Sequence, residues 1–195
     1  MSSSLAFLLA LGLAPGAAQA DLIVNTGTPS NAVGDGWAFN SAHSYAGQIS
    51  LADEMTINNI QGYFSTDVGT VTISLFSNIE DGDGGFIPGS ALRSTSFATG
   101  LGALAWTGAS ALNWVVEQGT YWVVFSSSYG KGSQSSMPGM AADPLSGYAL
   151  MQGGQWYDAG DLDLKQGLRV YVPEPGSMAL LGLGLVGVGA LRRRR

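Results

Sequence analysis

The sequence contains no cysteine. Disulfides, thiol nucleophiles and thiolate metal sites are therefore excluded together. Histidine occurs once, at His43, so a metal site would have to be built almost wholly from carboxylates. Cations are scarce as well. Eight Lys and Arg stand against fourteen Asp and Glu, for a formal net charge of −6, and four of the eight are the terminal Arg192, Arg193, Arg194 and Arg195. Between residues 21 and 172 only Arg93, Lys131, Lys165 and Arg169 remain, against thirteen Asp and Glu, so that span carries a net charge of −9. This balance argues against nucleic-acid binding, which rests on many Lys and Arg neutralising phosphates, and against docking on anionic lipid. A long apolar run is also missing. Met178 to Leu191 covers about 21 Å as a helix, short of the roughly 30 Å hydrocarbon core that a lasting span must cross.

What is abundant is Gly, with 29 residues, together with Ser, Thr, Val and aromatics, and no interior stretch keeps a helical period. That composition predicts many short strands joined by Gly-rich turns. Leu22-Ile23-Val24 begins a first strand. Thr70 to Phe76 alternates, with Val71, Ile73 and Leu75 on one face and hydroxyls opposite, as a half-buried antiparallel strand does. Met55 to Phe64 reads as one strand whose alternation slips at Asn58-Asn59. Tyr121 to Phe125, opened by Gly119-Thr120, is apolar on both faces and is predicted to be central. Gly147 to Leu150, Gln155 to Tyr157 and Leu168 to Val172 close the set. The expected fold class is all-β, a single antiparallel β-sandwich of jelly-roll type over residues 21–172, flanked by an N-terminal signal helix and a C-terminal hydrophobic helix.

Both ends carry processing signals. Leu5 to Leu13 form an apolar core of signal-peptide length, Pro15-Gly16 breaks it, and Ala18-Gln19-Ala20 supplies the small-x-small pattern a signal peptidase accepts. Residues 1–20 are thus expected to be removed, leaving Asp21 first, although Met1-Ser2-Ser3-Ser4 lacks the customary Lys or Arg. At the other end Pro173, Glu174 and Pro175 stop the fold, since proline cannot continue a strand ladder or a helix interior. Gly176-Ser177, the Leu/Gly-rich run and the four arginines follow, and cations of this kind snorkel and stay cytoplasmic.

Residues 173–195 resemble the PEP-CTERM sorting signal of Gram-negative bacteria in the order of their three parts: tripeptide, short transmembrane helix and basic end. The resemblance implies that an exosortase recognises Pro173-Glu174-Pro175, cleaves near it and discards the helix with Arg192 to Arg195. The implied partners are the exosortase, signal peptidase and the secretion machinery, with exopolysaccharide as a further partner. The implied route is a transient inner-membrane intermediate, then the cell surface or extracellular biofilm matrix. A second resemblance covers about half of the domain. GTVTISLFSN, Pro88-Gly89-Ser90 and NWVVEQGTYWVVFSS are similar to stretches of exported "choice-of-anchor" β-sandwich domains, and this supports the fold while bringing no activity.

Few residues offer chemistry. His43 lies in the polar stretch Asn40 to Ser44, with no Gly-x-Ser-x-Gly elbow, and reads as a surface histidine in a loop. Glu80-Asp81-Gly82-Asp83-Gly84-Gly85 places alternate carboxylates in a Gly-rich loop. Asp81 and Asp83 are the residues that would hold Ca²⁺, the one cofactor the sequence suggests, although Gly85 stands where a third ligand would be and no closing Glu follows. A hairpin turn explains the same residues. Asp161 and Asp163 alternate with leucines as on an ordinary strand with one wet face. Trp156 and Tyr157 set two rings beside Gln155 and Asp158, an arrangement suited to stacking on sugars. Trp37, Trp106 and Trp114 are further candidates, and Trp122 is expected in the core. The expectation is a non-enzymatic exported surface or matrix protein. The alternatives are a carbohydrate-binding module using exposed aromatics and a Ca²⁺-stabilised, adhesin-like structural protein.

Overall fold

A strand whose side chains alternate between two environments must bury one set and wet the other. Residues 69–80 divide in this way: Val71, Ile73 and Leu75 face the core, while on the polar face Thr72 and the buried Ser74 meet Ser96 and Ser94 of the next strand at 2.8 and 2.9 Å. The computed structural model describes residues 20–28, 36–138, 145–160 and 166–173. The expected signal helix, apart from Ala20, and the expected C-terminal helix lie outside them.

Fourteen strands are seen among the described residues. They are β1 (Ala20–Asn25), β2 (Gly36–Ala38), β3 (His43–Leu51), β4 (Met55–Ile57), β5 (Asn59–Thr66), β6 (Gly69–Glu80), β7 (Phe86–Thr99) and β8 (Gly102–Ala109), followed by β9 (Trp114–Val116), β10 (Gly119–Ser127), β11 (Ser136–Pro138), β12 (Tyr148–Gln152), β13 (Gln155–Asp158) and β14 (Leu168–Pro173). One sheet has six strands in the order β13-β12-β3-β10-β6-β7, and a second has four in the order β1-β14-β5-β8. Two small ribbons, β2 with β11 and β4 with β9, complete the set. The pairings are antiparallel.

Both sheets feed one core. Tyr45, Ile49, Ile73, Val123 and Phe125 from the larger sheet share it with Ile60, Phe64, Leu168 and Val170 from the smaller. The Phe64 and Phe125 rings meet across the gap at 5.9 Å, and Phe39 approaches Phe64 at 5.0 Å. Burying each such ring contributes roughly 1.5–3 kcal/mol. A Cβ on Gly62 would lie 2.9 Å from the Phe125 ring, so glycine is what lets β5 approach so closely. The arrangement is an antiparallel sandwich, and Ala20–Pro173 form one compact unit.

The expected central strand is central. β10 lies between β3 and β6, with Val123 and Phe125 in the main core and Trp122 and Val124 in a second cluster on the other face, beside Ala46 and Ala149. Two expectations need correction. Residues 55–64 are not one strand: β4 pairs with β9, while β5 enters the four-stranded sheet. The slip in alternation at Asn58 marks the switch, because its N–H donates to the Tyr171 carbonyl and its carbonyl accepts from Leu112, each at about 3 Å. A buried backbone needs both partners, and these come from different places in the fold. His43 is not in a loop either. It opens β3, half-buried, with Nδ1 3.3 Å from Asn40 Oδ1.

Candidate functional site

The processing points come first. In the β1–β14 pair Ala20 stands opposite Pro173 and Asp21 opposite Val172. Pro173 is therefore the last strand residue, at a position where its missing N–H costs little. On its other side β14 pairs with β5 only as far as Tyr171 opposite Asn59. Ala18, Glu174, Pro175 and Arg192 to Arg195 lie outside the described residues.

The Asp81–Asp83 loop closes the β6–β7 hairpin. Asp81 Oδ1 accepts from the N–H groups of Asp83 at 2.8 Å and Gly85 at 3.0 Å, and the Asp81 N–H donates to the Gly85 carbonyl. Gly82 and Gly84 have φ of 93° and 89°, which favour glycine. The carboxylate thus serves the turn. Among the described residues no group of three or more His, Asp or Glu could hold a metal ion. Asp161 and Asp163 lie outside the described residues.

Trp156 and Tyr157 are neighbours on β13 and project to opposite faces. Trp156 is half-buried and meets the Phe76 ring edge-on at 6.2 Å, in the second cluster. Tyr157 is 48% exposed, its hydroxyl donating to Gln155 Oε1 at 3.2 Å. The structure does not bring the two rings into one surface. Trp122 is buried as expected; Trp114, a candidate for stacking on sugars, is buried as well and presents no ring to solvent.

A different surface emerges on the outer face of the four-stranded sheet. The Arg169 guanidinium lies 3.9 Å from the centre of the Trp106 ring, and the Tyr63 and Trp106 rings are 5.4 Å apart. Trp106 Nε1 donates to Thr28 Oγ1 at 3.1 Å. Gly167 makes room for this: a Cβ there would stand 2.7 Å from Tyr63 Cβ and 3.3 Å from the indole. Among these, only Trp106 is singled out by the sequence pattern. The alternation of Leu168, Arg169, Val170 and Tyr171 was available as a signal that Arg169 and Tyr171 share a wet face.

A shallow cleft of about 500 Å³ is lined by Thr66, Asp67, Leu101 and Gln134. The Ser133 hydroxyl, and then the Val68 N–H, hold the Asp67 carboxyl below its ordinary range. A second cleft, of about 420 Å³, lies between β1 and β3 and is lined by Thr26, Ser50 and Ser146. His43 lines neither.

No curated protein and no solved structure gives a significant match to the chain. The resemblance to choice-of-anchor domains therefore rests on sequence alone. The tail does match: residues 172–195 carry the PEP-CTERM protein-sorting motif. With that motif beginning in the last strand of a folded β domain, the chain is an exported protein, a PEP-CTERM substrate of an exosortase.

Proposed function

We propose that the protein is a non-enzymatic component of the cell surface or extracellular matrix, associated with exopolysaccharide and left there after an exosortase removes its tail. The observation that carries this reading is the position of the sorting motif at residues 172–195, starting where β14 ends at Pro173. Pro173, the first residue of the tripeptide, is the last rung of the ladder, so the motif begins at the margin of the folded sandwich. The non-enzymatic part is supported by the surroundings of His43, whose ring contacts the Asn40 amide and, among the described residues, no hydroxyl that it could activate as a nucleophile. The gain or loss of a membrane-held precursor tests the sorting step. Replacing Pro173, Glu174 and Pro175 by alanine in the host is expected to leave a larger, membrane-associated form. Normal size and normal release of that variant would remove the reading.

A further inference from the structure

Three side chains stand in one row across the outer face of the four-stranded sheet. Asn25 is opposite Arg169, and Arg169 is opposite Gln61, on β1, β14 and β5. At about 4.8 Å between strands the row is about 10 Å long. Its acceptors are largely used. Asn25 Oδ1 takes the Gly27 N–H at 3.1 Å and Arg169 Nε at 3.3 Å, and Gln61 Oε1 takes the Tyr171 hydroxyl at 3.3 Å. What remains to face a ligand is mainly donors, the Asn25 amide N–H₂, the two terminal Arg169 nitrogens and the Gln61 amide N–H₂, with one lone pair left on Gln61 Oε1.

Arg169 is also held for binding. Stacking on Trp106 fixes the plane of its guanidinium, and its Nε contact fixes the tilt. It forms no ion pair among the described residues, in a span whose net charge is −9. A guanidinium with its outer edge open matches a carboxylate bidentately. The Trp106 ring beneath it, packed in turn on Tyr63, holds the guanidinium against the sheet. The row runs across three adjacent strands, a linear arrangement that suits a chain with repeating groups.

We propose that this row binds a carboxylated polysaccharide, a polyuronate, with Arg169 as the carboxylate receptor, Trp106 as the bed that orients it, and the Asn25 and Gln61 amides as donors to flanking hydroxyls. This rests on the reading that the folded part works outside the cell. Acidic surface elsewhere repels such a chain, so the row selects where it lies. The binding surface is therefore the Arg169 face of the four-stranded sheet, not the Trp156 side of the other.

The test is affinity electrophoresis of the protein purified from its host through gels containing polygalacturonate, its fully methyl-esterified form, a sulfated dextran or neutral dextran. Retardation by polygalacturonate alone is expected. Arg169→Gln is expected to weaken it at least tenfold, and Arg169→Lys to recover only part of it, while Tyr157→Ala and Arg93→Gln change it less than twofold. Equal effects of Arg169→Gln and Arg93→Gln would reduce the result to net charge and overturn the proposal. So would retardation by the esterified or sulfated polymer to the same degree, or by none of the four. Should Arg169→Gln fail to fold by circular dichroism, the comparison of free with esterified polymer decides alone. Export and tail removal are scored separately by size and location, so failure here leaves the sorting reading standing, and the reverse.

Discussion

Ala20 stands directly opposite Pro173 in the β1–β14 pair. The residue before the expected signal-peptidase cut and the first residue of the sorting tripeptide thus occupy the same rung at one end of the sheet. Removing the segment up to Ala20 leaves Pro173 without a ladder partner, since β5 has already ended its pairing at Asn59. Proline has no N–H to lose, so this end can be trimmed on both strands at little cost.

The intact mass of the extracellular form is therefore expected to correspond to a chain that starts at Asp21 and ends close to Pro173. Recovery of a species that still carries Arg192 to Arg195 would contradict removal of the tail. A species retaining Ala20 would shift the first cut.

Asn78 is expected to matter more than a half-exposed asparagine usually does. Its Oδ1 accepts from Trp122 Nε1 and from Gln48 Nε2, both at 2.8 Å, and Trp122 is buried. Asn78→Ala leaves a buried indole N–H without an acceptor, an expected loss of about 1–3 kcal/mol in urea unfolding. Asn78→Asp keeps an acceptor and should lose less. Equal losses for both variants would show that the shared acceptor is not what matters.

Stability is expected to fall at alkaline pH through Tyr45. Burial pushes its phenol well above the ordinary value near 10, and its hydroxyl donates to the Ala38 carbonyl at 2.6 Å. The folded state therefore holds this proton after the unfolded state has released it. The contribution is complete below about pH 10 and is lost as pH rises through the folded value. Urea midpoints between pH 8 and 12 should stay level and then drop. Tyr45→Phe should lose about 1 kcal/mol at pH 8 and show a shallower drop above pH 10.

The β6–β7 turn distinguishes a structural carboxylate from a cation ligand. Asp81→Asn retains the oxygen that accepts from Asp83 and Gly85, and is expected to change stability by a few tenths of a kcal/mol, whereas Asp81→Ala should lose about 1 kcal/mol. The melting temperature is expected to be the same with and without EDTA. A drop with chelator that Asp83→Asn cancels would assign Ca²⁺ to the loop instead.

Much of this was legible from local pattern. Val71, Ile73 and Leu75 alternate and are buried, and Tyr121 to Phe125 is apolar on both faces because β10 has a cluster on each side. The disturbance at Asn58 was visible, but its meaning was not, since its partners Tyr171 and Leu112 belong to distant segments. The pair Trp156-Tyr157 looked like one platform by adjacency, although the strand period separates the two rings.

The sequence by itself determined the sorting motif at residues 172–195, the strand-rich class and the division of each clear strand into a polar and an apolar face. These depend on composition and on neighbours along the chain. Only the tertiary structure decided that Asn25, Arg169 and Gln61 form one row, that Trp106 reaches Thr28 through the room left at Gly167, and that Ala20 faces Pro173. The reason is that strand order and register are set by how the two sheets close over a shared core, and that closure joins residues more than a hundred positions apart.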